Sequence, residues 1–134
     1  MLSFDTDDVL YTVLAASTAL RNELTGSIYV GERPDNSEKE DVAVNNITVT
    51  HERPQSGTSN VNIHVPDLRL KIKGQEQTKA DRERLRTLTN LVLSVLKAAN
   101  IEGLTFWVTN ETVIKEPALP QHYTNLRIGW NIHK

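Results

Sequence analysis

Two β segments in the middle of the chain, residues 42–52 and 60–73, each change apolar parity partway along. In the first, Val42 and Val44 are even while Ile47 and Val49 are odd. In the second, Val61, Ile63 and Val65 are odd while Leu68, Leu70 and Ile72 are even. Side chains alternate across a strand with period two, so each switch demands a bulge or a bend. The switches fall at Asn45-Asn46 and at Pro66-Asp67, and Pro66 also lacks a ladder donor. The polar stretch Arg53-Pro54-Gln55-Ser56-Gly57-Thr58-Ser59 reads as the connecting turn. A turn centred near 56 and 57 sets the two switches opposite each other. The pattern therefore predicts a long β-hairpin with a shared kink, its inner half in the core and its outer half, 47–65, projecting from the body.

An amphipathic helix stands on each side of this hairpin. In the first, Asp5 or Thr6 can cap, Asp7 and Asp8 sit where the helix dipole favours negative charge, and Gly26 ends the element. Val9, Leu10, Val13, Leu14, Leu20 and Leu24 form its apolar stripe. A short strand at 27–30 follows, then a polar loop at 31–41 that has no apolar side chain apart from Pro34 and is expected to be mobile. The second helix spans 78–99. Thr78 is its expected cap, with Asp81 three residues on, and Leu85, Leu88, Val92, Val95, Leu96 and Ala99 form its apolar face. The chain closes with a strand at 104–109, a short one beginning at Val113-Ile114, and a regular strand at 123–133 that places Leu126, Ile128, Trp130 and Ile132 on one face. Runs of strands without strict βαβ alternation point to an α+β fold in which both helices cover one face of a mostly antiparallel sheet.

The 134 residues suit a single domain large enough to bury a core without staples. A hydrophobic share of 38% and a charged share of 24% mark a globular chain, and at 5% aromatics its core falls to Val, Ile and Leu. The formal net charge of −2 argues against a dedicated nucleic-acid binder. There is no cysteine, which removes disulfides, thiolate chemistry and cysteine-ligated zinc. The start at Met1 carries no signal-peptide pattern, no apolar run approaches the length of a membrane span, and an intracellular origin is expected.

No catalytic, cofactor or metal site is expected. His51, His64, His122 and His133 make no close ligand pair, and His51 with His64 reads as an exposed cross-strand pair rather than a metal site. Ser56 and Ser59 lie in a polar turn without a nucleophile elbow, and the carboxylates are dispersed. The basic cluster Lys79, Arg82, Arg84 and Arg86 opens the second helix. It reads first as a solvated face balanced by Asp81 and Glu83, and second as a contact for an acidic partner, the basis of an alternative reading as a protein-binding adaptor domain. Trp107, opposite in parity to Phe106 and Val108, either packs under a helix or stands exposed as a partner anchor. Strand edges left open favour pairing between subunits. The expected interface residues are Ile47, Val49, Val61 and Ile63 of the outer hairpin, with Trp107, Arg82 and Arg86.

The order of elements resembles the tail-terminator and tail-completion proteins of long-tailed bacteriophages. The likeness runs through the N-terminal helix, Ser27-Ile28-Tyr29-Val30, the polar loop, the long hairpin, the arginine-bearing helix at 78–99 and a last strand through Asn125-Leu126-Arg127-Ile128-Gly129-Trp130. The resemblance implies a non-enzymatic homo-oligomer, commonly a hexameric ring, that caps the tail tube and meets tail-tube and neck proteins. It also implies a place in the virion tail after synthesis in the host cytoplasm, with neither membrane nor specific nucleic acid as partner. It carries over no catalytic residue.

Overall fold

In this computed structural model residues 1–133 are described. The helices are α1 (Ser3–Ala15), α2 (Thr18–Glu23) and α3 (Arg82–Ala98). The strands are β1 (Ile28–Val30), β2 (Asp41–Val49), β3 (Gln55–Pro66), β4 (Leu68–Ile72), β5 (Gln75–Lys79), β6 (Leu104–Lys115) and β7 (Gln121–Ile132). Five strands form one sheet in the order β1-β2-β3-β7-β6, and β4 pairs with β5 as a separate two-stranded unit. Within the large sheet only β1 and β2 run parallel. The fold is α+β with a mostly antiparallel sheet, as the element order predicts.

The helices cover one face of the sheet. Leu10, Leu14, Leu20, Leu85, Leu88, Val92 and Leu96 meet Val42, Val44, Val61, Ile63, Leu126, Ile128 and Trp130 in one core. Full burial of each such side chain stabilises by ~1.5–3 kcal/mol. Two hydroxyl pairings sit inside it. Thr89 Oγ1 donates to Thr124 Oγ1 at 3.0 Å, and Trp130 Nε1 donates to Ser59 Oγ at 3.0 Å.

The parity switch in β2 is a bulge, and the kink is not shared. Registers shift between Asn46 and Thr48, leaving Ile47 unpaired and restoring Val49 to the core side opposite Gly57. Asn45 and Asn46, however, face Asn60 and Ser59 rather than Pro66. The turn occupies 50–54, and residues 55–59 belong to β3. Gly57 and Ser59 are small because Trp130 lies against them, bonded to Ser59 and directly across from Gly57. The second switch has a different cause. β3 ends at Pro66, and Leu68 begins β4, which leaves the sheet and turns back at Lys73-Gly74, both with positive φ, into β5. The projecting element is therefore β4–β5, and the 47–65 segment lies within the sheet.

The remaining differences are local. The first helix breaks at Ala16-Ser17, where Ser17 Oγ accepts from Leu20 N and caps α2. Helix α1 starts at Ser3, ahead of Asp5 and Thr6. Asp81, not Thr78, caps α3 by accepting from Arg84 N at 3.1 Å, while Thr78 pairs with Arg69 in the hairpin. β6 is one strand of 12 residues, carried past Thr109 by a bulge.

Candidate assembly surfaces

Where β2 begins, the sheet is clamped by buried ions. Asp41 is fully buried and accepts from Ser27 N at 3.0 Å and Ser37 Oγ at 2.6 Å, with Arg33 Nε 3.2 Å from Oδ2. Arg33 also donates to Gln121 Oε1 and to the Ser37 carbonyl. The 31–40 loop is thereby fastened across the start of β7, against the mobility expected from its composition. Arg84 lies between Glu40 and Glu23, at 2.6 Å from each, and joins α3 to the end of α2. Its hydrogen bonds to Glu40 and then Glu23 raise its pKa further, so it stays charged throughout. These carboxylates are satisfied by partners and hold the loop, which suits structure rather than acid–base work.

His64 stacks on Tyr123 with ring centroids 4.8 Å apart, close to the same clamp. Burial above all, and Arg33 next, pushes its pKa down to about 4, while Asp41 acts in the opposite direction. It is buried beside Asp41 in the β2–β3 ladder, and His51 lies in the turn beyond the far end of β2, so the expected exposed histidine pair does not form. Among the described residues no group of three or more His, Asp or Glu side chains is placed to hold a metal ion.

The expected interface residues are scattered. Val61 and Ile63 are fully buried beneath the helices, and Val49 packs against the same core. Burial keeps Val61 and Ile63 from serving as contacts for a neighbour, while Val49 is only partly covered. Ile47 is exposed on its bulge. Trp107 is 47% exposed on the helix-free face, with its ring over Gly129. A Cβ at 129 would stand 3.0 Å from that ring, so glycine there makes room for the indole. Arg82 and Arg86 are exposed on α3 and flank a groove of about 820 Å³ between that helix and the outer half of β6, with Leu93, Glu111 and Val113 on its walls.

Composition and parity did not single out three other surfaces. Leu68 and Leu70 are exposed on the β4–β5 hairpin, whose contacts are almost all between its own two strands. Phe4 is the most exposed large apolar side chain at 74%, and Leu2 and Tyr11 are exposed near it in sequence. Phe4, Asp8 and Tyr11 recur at helical spacing, so they share the outer side of α1. Finally, β6 forms a sheet edge with Val113 and Ile114 exposed. The Lys73-Gly74 pair was the available sign of the hairpin, because a two-residue turn with positive φ favours glycine.

No family model matches the sequence, and no curated protein does. Solved structures do match. One similar chain belongs to a structure described as the virion of a native gene transfer agent particle. The superposition covers 96% of this chain and 94% of that one with a TM-score of 0.66, at 11% sequence identity. At that identity the likeness is one of fold, and it runs through nearly the whole of both chains.

Proposed function

We propose that this chain is a structural protein of a phage-like virion, and that within the particle it acts as a tail-terminator or tail-completion subunit. The observation that carries the reading is the near full-length fold likeness to a chain of a gene transfer agent virion. The finer role rests on the resemblance in element order: a homo-oligomeric ring, hexameric in the family it resembles, seated on the tail tube and meeting the neck. The surface supports a part in assembly. A projecting hairpin, a long open edge on β6 and exposed Trp107, Ile47, Arg82 and Arg86 all offer contacts to neighbouring proteins.

The test is to delete the gene in its source strain and image the particles, with mass spectrometry of purified wild-type particles alongside. The expected result is the chain present in wild-type particles and, without it, heads and tails that fail to join or tails without a defined end. Normal joined particles from the deletion strain, with the chain missing from wild-type particles, would falsify the reading.

The groove beside Arg82 and Arg86 favours one second reading, an adaptor domain that takes an acidic partner segment. A partner recovered from cell extract and lost on reversing both arginines to Glu, with particles assembling normally without the chain, selects that reading instead.

A further inference from the structure

The β4–β5 hairpin is an element without packing of its own. Register places Leu68, Leu70 and Ile72 on one side of β4 and leaves Arg69 and Lys71 on the other. Within 68–79, four basic side chains (Arg69, Lys71, Lys73, Lys79) stand against one acidic, Glu76. A two-stranded hairpin is marginal alone in water and gains order by laying an apolar side on something else.

The outer side of α1 has the complementary character. Phe4 and Tyr11 are exposed there together with Leu2, and the helix carries Asp5, Asp7 and Asp8 with no basic side chain at all. Its acidic groups lie in the first turns, where the helix dipole already favours negative charge. The two patches match in both respects, apolar to apolar and basic to acidic.

They do not pack together within one molecule. The hairpin leaves from Pro66, which pairs with Gln121 at the start of β7. Met1, just ahead of α1, bonds to Gln55, which pairs with Ile132 at the far end of the same strand. At about 3.4 Å per residue a strand of this length separates the two ends by ~35 Å.

We propose that the hairpin of one copy docks on the outer side of α1 of the next, with Leu68 and Leu70 against Phe4 and Tyr11, and with Lys79, which faces the same way as its cross-strand partner Leu68, near Asp8. Different surfaces at opposite ends of the chain make this a heterologous, head-to-tail contact. Repeated from copy to copy, it generates a ring or an open filament. The pairing rests on the assembly reading above and adds to it the identity of the two surfaces.

A mixing experiment tests it. In Phe4→Glu the α1 surface is spoiled and the hairpin is intact, and in Leu70→Glu the reverse holds. Each variant alone is expected to sediment as a monomer under conditions where the wild type forms larger species, alone or on the particle's own tails. An equimolar mixture is expected to give dimers of twice the 15.1 kDa chain and nothing larger, because only one productive contact remains. That recovery also shows both variants to be folded. If both variants assemble like the wild type, or if the mixture stays monomeric, the pairing is overturned while assembly by other surfaces stands. A wild type that remains monomeric alone and on tails overturns the pairing and the assembly reading together.

Discussion

Asp41 is fully buried, and its surroundings account for the absence of a side chain at position 26. A Cβ on Gly26 would overlap Asp41 Oδ1 and stand 2.6 Å from the Glu40 carbonyl, and neither group can retreat, because Asp41 accepts from Ser27 and Ser37 while Glu40 O accepts from Gly26 N. Gly26→Ala is therefore expected to destabilise the protein by ~2 kcal/mol or more, read as a lower urea midpoint at unchanged slope. A Gly31→Ala control meets no atoms and carries only the cost of its positive φ, ~1 kcal/mol. His64 sets a pH dependence at the same place. Its native pKa lies near 4, below the ordinary 6.5, so the unfolded chain takes up the proton first. Above pH 6.5 the imidazole is neutral in both states and its full contribution is present. Between 6.5 and about 4 stability is lost progressively, and below about 4 this group removes no more. The linkage amounts to ~3 kcal/mol at most. In urea titrations from pH 7.5 to 4, the stability of the wild type relative to His64→Gln is expected to fall by up to that amount. A constant difference across the range contradicts it.

At the scale of elements, the β4–β5 hairpin is nearly independent of the body it leaves. Replacing 68–79 by a short Gly-Ser linker is expected to change the unfolding free energy by no more than ~1 kcal/mol, since loop closure depends only weakly on length and little core is lost. The same deletion is expected to abolish self-association, so paired urea melts and sedimentation runs separate the two effects. A collapse of stability instead means that the hairpin supports the core. This element is also where the sequence was hardest to read. Leu68, Leu70 and Ile72 alternate like any strand, and residues 60–65 alternate before them, so periodicity joins them into one element although the chain changes sheets at Asp67. β5 consists of Gln75-Glu76-Gln77-Thr78-Lys79, all polar on both sides because neither side meets the core, and so it has no apolar period to detect. The start of β3 was hidden for the opposite reason. Gly57 and Ser59 lie beneath a tryptophan, and small polar residues under a large one look like turn. α3, β7 and the β2 bulge were legible because each buries one full side against the core, which writes its period into the sequence. Of the expected interface, Ile47, Trp107, Arg82 and Arg86 reached the surface. Parity identified Val61 and Ile63 as apolar, and only the correct turn position reveals that their side is the inner one.

For the whole molecule, a formal net charge of −2 conceals two local patches of opposite sign, the basic β4–β5 hairpin and the acidic first turns of α1. Copies approaching in solution therefore attract head to tail and repel head to head, before any apolar surface is in contact. Such steering acts over about a Debye length, which shortens from about 10 Å in ~0.1 M salt to about 3 Å in ~1 M. Once docked, Leu68, Leu70, Phe4 and Tyr11 hold the contact through buried apolar area, and salt does not weaken that component. The two rates should then respond differently. Stopped-flow light scattering across that salt range is expected to show the association rate falling by roughly tenfold. Dissociation after dilution should change by no more than about threefold. Reversing Lys79 to Glu should remove most of the salt dependence of association, and combining it with Asp8→Lys should restore both the rate and its salt dependence. If high salt instead accelerates dissociation and leaves association unchanged, the bonds between copies are ionic at their centre, and the apolar side of the hairpin faces a different partner.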